Sequence, residues 1–93
     1  MSVEVVRVEP MDQFKVHILV KAATIPAACG EEAVDAAMAE GEKQLSGRLR
    51  YSKVSESFAL DLNGATIPPS GIVDAQRQGR VGGYVVVHEA YRA

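Results

Sequence analysis

The stretch YVVVHEAY, from Tyr84 to Tyr91, decides how this chain folds. It predicts a β-strand, because valine and tyrosine favour strands and Gly82-Gly83 supplies a turn signal before it. Its apolar residues do not alternate with polar ones, which is typical of a strand covered on both faces in the middle of a sheet. VEVVRV, residues 3–8, has the same character. We therefore predict that both strands are covered on both faces inside one sheet.

Residues 14–21 predict a different kind of strand, one that is buried on a single face. Apolar and polar residues alternate there, as in a strand with one side on a core and the other in water. We expect it to form a hairpin with the strand Val3–Glu9, which Pro10 ends. Phe14, Val16, Ile18 and Val20 are predicted to face the core, and Lys15, His17, Leu19 and Lys21 the outside.

A change of period between Pro26 and Leu45 predicts one amphipathic helix. Apolar residues recur there at helical spacing, and abundant alanines allow the helix to approach a sheet closely. Glu31 and Glu32 suit the positive end of the helix dipole, and Gly47 is placed to end the helix. The apolar positions are Val34, Met38, Gly41 and Leu45.

The second half of the chain predicts a strand, a short return strand and a helical turn before the last strand. Residues 56–62 alternate, and their strand starts as early as Leu49 if it bends near Ser55. Asn63-Gly64 favours a two-residue hairpin turn, so that residues 65–67 pair back briefly. Residues 70–76 have room for one short helical turn.

This order of elements resembles the β-grasp arrangement of ubiquitin-like domains. The resemblance implies that the first and last strands lie side by side in the middle of the sheet, in agreement with their apolar character. We therefore predict an α+β fold with a β-grasp-like mixed sheet of four to five strands and one main helix packed on one face. The alternative is a ferredoxin-like α/β sandwich, which would require a full second helix within residues 70–79. Ubiquitin-like modifiers end in diglycine, whereas this chain ends Tyr91-Arg92-Ala93, so we do not expect conjugation.

Length and composition predict a single folded domain, residues 1–93. The chain has 93 residues, of which 47% are apolar, enough for one small core. Its apolar segments fall far short of the roughly 20 residues of a membrane span, and its start shows no secretory signal. We expect a cytoplasmic protein without a membrane partner. The net charge of −2 and the scattered arginines give no broad attraction for nucleic acid, so we do not expect a nucleic-acid partner.

The few chemically reactive residues do not form a recognisable catalytic set. His17 and His88 are the only histidines and lack metal-ligand spacing. On the predicted sheet they lie near the surface on strands that are not neighbours. Cys29 is alone, which excludes an intramolecular disulfide and cysteine-rich metal centres, and we expect it to be buried and inert. We predict no catalytic residues, no metal and no cofactor.

The sheet itself suggests a function. Since one thin helix can cover only one face, the other face of the valine-rich strands is predicted to be an open apolar strip that binds a protein partner or a second copy. We predict a non-enzymatic protein-binding domain: an adaptor, an accessory subunit or a small inhibitor using the sheet face or an edge strand. The alternative is a small dimeric enzyme or ligand-binding protein with a pocket between sheet and helix. The predicted partner-binding residues are Lys15, His17, Leu19, Lys21, Tyr84, Val86 and His88.

Overall fold

The fold is built on one antiparallel sheet. A computed structural model describes residues 3–93. Its strands are β1 (Glu4–Pro10), β2 (Lys15–Ala22), β3 (Leu49–Asp61), β4 (Thr66–Ile67) and β5 (Val81–Arg92). Its helices are α1 (Ile25–Cys29), α2 (Glu31–Leu45) and α3 (Ile72–Arg77), and a 3-10 turn at Pro69–Gly71 leads into α3. The described residues thus form a small α+β structure, as the sequence predicted.

The strands lie in the order β1-β2-β5-β3-β4, which differs from the predicted order. β1 is at the edge and β2 lies beside β5, so the prediction that the first and last strands are neighbours is wrong. All pairings between the described strands are antiparallel, whereas we expected a mixed sheet. The register of β1 shifts between Val5 and Arg7 and leaves Val6 50% exposed. Assignment to a β-grasp or a ferredoxin-like architecture stays a prediction.

The register places the helices of the described chain on one face of the sheet. Ile18 and Val20 lie opposite His88 and Val86, and directly opposite residues share a face. Helix α2 packs on the core cluster that contains Ile18, and α1 packs on the cluster that contains Val86. Helix α3 packs on a third cluster, which Tyr84 borders. We call this the helix-covered face. The other, the helix-free face, carries Lys15, His17, Leu19 and Lys21 of β2 and Val85, Val87, Glu89 and Tyr91 of β5.

Residues 26–45 lie in two helices rather than the predicted single helix. Gly30 separates α1 from α2 with an extended backbone, φ −71° and ψ 175°. Thr24 begins α1 as its N-cap, because its hydroxyl accepts a hydrogen bond of 3.2 Å from the backbone N–H of the third helical residue. α2 ends at Ser46, whose φ of 53° takes the left-handed role predicted for Gly47.

Small residues let α2 lie close to the sheet. Ala33, Ala37 and Gly41 are its buried residues. A Cβ atom on Gly41 would be 2.7 Å from Leu49 Cδ1 and 2.9 Å from Ile18 Cδ1, well inside normal packing distances. The spacing between α2 and the sheet therefore depends on the absence of a side chain at Gly41.

β3 contains the bend that the sequence predicted near Ser55. Its register against β5 shifts between Tyr51 and Lys53 and again between Val54 and Glu56. Each shift adds one residue to β3 without a partner in β5, which bends and twists a strand. The long strand Leu49–Asp61 therefore follows a curved path across the sheet.

The turn between β3 and β4 has three residues instead of the predicted two. The backbone N–H of Asp61 donates to the carbonyl of Ala65 at 2.8 Å, which leaves Leu62–Gly64 as the loop. Gly64 supplies the positive φ of 86° that such a loop needs. The carboxylate of Asp61 also accepts hydrogen bonds from the backbone of Asn63 and Ala65, and this side chain selects the longer turn.

The last helix is short. α3 covers Ile72–Arg77 and follows the 3-10 turn directly. It packs Ala75 against Ala59 and Ile67, which closes the core under β4. Among residues 3–93 no helix has the length and apolar character needed to cross a bilayer.

Candidate functional site

The seven predicted partner-binding residues do not form one surface. Those of β2 are half-buried on the helix-free face: Lys15, His17, Leu19 and Lys21. Those of β5 are on the helix-covered face: Tyr84, Val86 and His88. Val86 and His88 have no exposed surface, because α1 packs over them, so they cannot contact a partner while α1 is in place.

The two histidines are on neighbouring strands, contrary to the prediction. His17 lies opposite Glu89, and Ile18 lies opposite His88. Because successive residues of a strand point to opposite faces, the two imidazoles are on opposite sides of the sheet. Within residues 3–93, no three or more His, Cys, Asp or Glu side chains are grouped so that they could hold a metal ion.

The centre of the helix-free face is closed, although no helix of the described chain covers it. Val85 and Val87 of β5 are each only 3% exposed. Lys21 and Phe58 lie beside Val85 on the neighbouring strands, and Leu19 and Glu56 lie beside Val87. Long neighbouring side chains thus shield the two valines. The expected open strip is therefore smaller than predicted, and its accessible apolar part is formed by the half-buried Leu19 and Phe58.

A polar cluster of His17, Glu89 and Tyr91 lies on the same face, beyond Val87 toward the end of β5. The Glu89 side chain is 9% exposed, and its Oε1 lies 3.5 Å from His17 Nε2. Tyr91 donates its hydroxyl to Glu89 Oε2 at 3.1 Å. His17 Nε2 is buried and has no hydrogen-bond partner among the described residues. Of the three side chains, only His17 is left with an unsatisfied buried polar atom.

The cluster holds Glu89 as a carboxylate. Desolvation raises the pKa of Glu89, but the hydrogen bond from Tyr91, the nearby His17 imidazole and the charges of Lys15 and Lys53 lower it, and the net pKa lies below the ordinary value. The same hydrogen bond raises the pKa of Tyr91, because it stabilises the protonated hydroxyl beside an anion. A buried, charged carboxylate is thus fixed within a face that is otherwise apolar at its centre.

On the helix-covered face His88 is fully buried, which corrects the prediction of a histidine near the surface. Its Nε2 lies 2.8 Å from the carbonyl oxygen of Ala28, and its Nδ1 lies 3.1 Å from the Tyr51 hydroxyl. Since a carbonyl can only accept, Nε2 carries the proton, and Nδ1 accepts from Tyr51. Burial lowers the pKa of His88, although the hydrogen bond to Ala28 raises it in part. A neutral imidazole therefore ties the end of α1 to β5 and β3.

Cys29 lies beside this network and is half-buried rather than buried as predicted. Burial raises the pKa of Tyr51, and the nearby Cys29 raises it further. Because both imidazole nitrogens of His88 are occupied by hydrogen bonds, no free base is left there to activate the thiol. The arrangement of His88, Tyr51 and Cys29 is a core network that anchors α1.

A shallow cleft of about 260 Å³ opens between α1 and α3 on the same face. Tyr84 and Gln76 line it, and Gln76 Nε2 donates to the Tyr84 hydroxyl at 2.7 Å. Thr24, Ile25 and Pro26 form its other wall. The cleft is slightly smaller than the roughly 300 to 1,000 Å³ of most small-molecule sites.

Sequence reasoning missed Glu89, Tyr91 and Phe58 as members of the helix-free face. Their position depends on the register between strands that are far apart in the chain. Strict alternation along β5 places Glu89 and Tyr91 on the same face as Val85 and Val87. Because three valines follow one another in this strand, the sequence shows no apolar–polar alternation that would distinguish its two faces.

Comparisons of the chain with protein-family models, with curated proteins and with solved structures each gave no match.

Proposed function

We propose that the protein is a non-enzymatic protein-binding domain, acting as an adaptor, an accessory subunit or a small inhibitor, and that it binds through the helix-free face. The observation that carries this proposal is the asymmetry of the sheet. The described helices pack on one face, while the other has an apolar centre and a polar rim. That combination is the usual anatomy of a protein interface.

The size of the sheet is sufficient for such a role. The principal extents of the described chain are 43, 27 and 20 Å. A standard interface covers about 800 Å² on each partner, which a face of this length and width can supply. Leu19 and Phe58 would form the apolar contact, because they are the accessible side chains over Val85 and Val87.

The test compares charged substitutions on the two sides of the sheet. Leu19→Glu places a carboxylate at the centre of the helix-free face, whereas Val73→Glu changes a residue on α3 that is 62% exposed. Light scattering would measure the mass of each variant alone and after incubation with native extract of the source cells. We expect a larger complex with the unaltered chain and with Val73→Glu, and its loss with Leu19→Glu.

Two results would contradict the proposal. If Leu19→Glu retains the complex and circular dichroism shows that it is folded, the helix-free face is not the binding surface. If the unaltered chain stays a monomer and forms no complex, it has no partner in that extract and the binding function fails. A stable homodimer that Leu19→Glu dissociates would identify the partner as a second copy.

A second candidate is a ligand-binding protein that uses the cleft between α1 and α3. The hydrogen-bonded pair Gln76 and Tyr84 favours it, since these groups could exchange their mutual bond for bonds to a polar ligand. Tyr84→Phe keeps the ring and removes the hydroxyl. A small-molecule screen followed by thermal shift should then find ligands that stabilise the unaltered chain and not Tyr84→Phe, and a screen without such ligands would reject this candidate.

A further inference from the structure

One end of the helix-free face collects basic side chains. Across the sheet, Tyr91 has a basic residue opposite it on both neighbouring strands, and Glu89 has one on β3. A further arginine directly precedes β3. None of these cations has an ion pair among residues 3–93. We call Lys15, Arg50 and Lys53 the basic end, and Arg48 adjoins it in the chain.

Asp12 and Glu89, two carboxylates beside the basic end, already accept hydrogen bonds. Asp12 accepts hydrogen bonds from the backbone of Phe14 and Lys15 at 2.8 and 2.7 Å. Glu89 accepts from Tyr91 and lies beside His17. Lys15 and Lys53 act on Glu89 through their charges, but Lys15, Arg50 and Lys53 form no ion pair among residues 3–93. Their ammonium and guanidinium groups are therefore available to anionic groups of another molecule.

The net charge of −2 does not describe every part of the surface. α2, on the opposite side of the sheet, carries five acidic residues and a single lysine. An overall acidic chain thus presents a local basic surface beside its apolar contact residues. Local potentials of this kind steer and select partners even when the net charge has the other sign.

We propose that the partner presents an acidic protein segment, whose carboxylates face Lys15, Arg50 and Lys53 while an apolar side chain contacts Leu19 and Phe58. This inference rests on the proposed function and specifies the chemistry of the partner. The cations lie on the strands beside Tyr91 and Glu89, and these two residues follow Val85 and Val87 on the same face of β5. A docked segment can therefore reach both.

The same face distinguishes an acidic protein segment from nucleic acid. On the helix-free face Glu9 lies across the sheet in line with His17 and Glu89, and Glu56 lies opposite Val87. A nucleic-acid strand carries a phosphate at every nucleotide and would bring some of them against these carboxylates. A protein segment can place carboxylates only where the cations are. A second copy would have to offer its acidic α2, and such a head-to-tail contact produces open chains rather than a closed dimer.

The experiment measures fluorescence anisotropy with defined probes and the full chain. The probes are a labelled peptide of alternating glutamate and valine, the matching peptide of lysine and valine, and labelled oligothymidylate. We expect only the acidic peptide to bind, more weakly as salt screens the charges. Arg50→Glu with Lys53→Glu should reduce its affinity by about tenfold or more. The control, Arg77→Glu with Arg80→Glu at α3, changes the net charge equally and should leave the affinity within about twofold.

Each other outcome overturns the inference. Tighter binding of oligothymidylate would assign the basic end to nucleic acid, and salt-dependent polymers of the chain alone would assign it to self-association. Equal effects of the two double variants, or no binding of the acidic peptide, would show that the basic end does not select acidic segments. These results would not by themselves contradict the proposed function. If Leu19→Glu abolishes the partner complex while Arg50→Glu with Lys53→Glu preserves it, the protein-binding function stands and only the acidic partner is rejected.

Discussion

The two faces of the sheet bury their residues by different means. On the helix-covered face, Val16, Ile18 and Val20 have no exposed surface because α2 lies directly on them. On the helix-free face, Val85 and Val87 are nearly as buried, yet only neighbouring side chains of the sheet shield them. Burial alone therefore does not identify the face that a second layer covers.

The polar groups of the two faces differ in the same way. His88 on the helix-covered face has hydrogen-bond partners for both ring nitrogens, whereas His17 on the helix-free face has a buried Nε2 without one. A buried polar atom without a partner costs free energy. The helix-covered face thus satisfies its histidine fully, whereas on the helix-free face His17 Nε2 has only the 3.5 Å contact with Glu89 Oε1.

The largest expected effect comes from adjacent residues on the two faces. Ile18→Ala removes a fully buried side chain under α2 and should lower the free energy of unfolding by about 3 kcal/mol. Leu19→Ala, on the half-buried side of the same strand, should cost under about 1 kcal/mol. Urea unfolding of both variants measures the difference. Similar losses would contradict the comparison of the two faces. If Ile18→Ala does not fold, Ile18→Val should still cost about 1 kcal/mol.

The next effect concerns the polar network beneath α1. His88→Leu fills much of the volume but leaves the Ala28 carbonyl and the Tyr51 hydroxyl without their partner, and should cost about 2 kcal/mol near pH 7. It should also change the pH dependence. Because burial lowers the pKa of His88, its stabilising contribution is complete above the unfolded value near 6.5 and is lost as the pH falls through the folded pKa. The slope should not exceed about 1.4 kcal/mol per pH unit.

His17→Gln is the control for this pH dependence. It removes the histidine of the helix-free face and keeps His88, so the loss of stability below about pH 6.5 should remain. Denaturant unfolding across the pH range would show the slope in the unaltered chain and in His17→Gln and its absence in His88→Leu. A slope that follows His17 instead would mean that His88 is not the buried neutral group.

A smaller effect is expected at the contact between α2 and the sheet. Gly41→Ala gains about 1 kcal/mol of helix propensity but forces Ile18 and Leu49 to move, which costs roughly 1 to 3 kcal/mol. We expect a net loss of about 1 kcal/mol in thermal unfolding. Ala39→Gly on the exposed side of α2 reports the propensity alone. Stabilisation by Gly41→Ala would show that α2 lies farther from the sheet than described.

The smallest effect concerns the polar cluster of the helix-free face. Tyr91→Phe removes one of the hydrogen bonds that lower the pKa of Glu89. The pKa of Glu89 should therefore rise toward its ordinary value, which an NMR titration of the side-chain carboxyl carbon can follow. The carboxylate form contributes stability above the unfolded pKa, and this contribution should now be lost at a higher pH. An unchanged titration would mean that Tyr91 does not bind Glu89 in solution.

Local patterns located the strands well but could not give their neighbours. Alternation in β2 identified Val16, Ile18 and Val20 as core residues, and all three are fully buried. Phe14, predicted to face the core with them, lies before β2 and is 63% exposed, so that part of the prediction is wrong. The valines of β1 suggested a central strand, yet β1 is at the edge with Val6 half exposed. A run of valine reports that side chains are apolar, but the order of strands depends on pairings between distant segments.

The break at Gly30 shows a similar contrast. Alanines before and after it fit one helical period, so the sequence predicted a continuous helix. In the structure Gly30 is extended, and His88, far away in the chain, binds the carbonyl at the end of α1. In β5, Val86 and His88 point to the face opposite that of Glu89, so they do not belong to the candidate surface. No local signal in the sequence showed which of the two faces α1 would cover.

The sequence by itself determined the α+β class, the approximate strands and the alanine-rich helix, because hydrophobic period, turn residues and capping act over a few neighbouring residues. The tertiary structure alone decided that β2 lies beside β5, that His88 is buried while Glu89 faces the other side, and that Lys15, Arg50 and Lys53 lie opposite Tyr91 and Glu89 on the helix-free face. These features arise from strand register and from the side of the sheet on which the helices pack. Both are fixed by contacts between residues distant in the chain, where a shift of one residue exchanges the two faces.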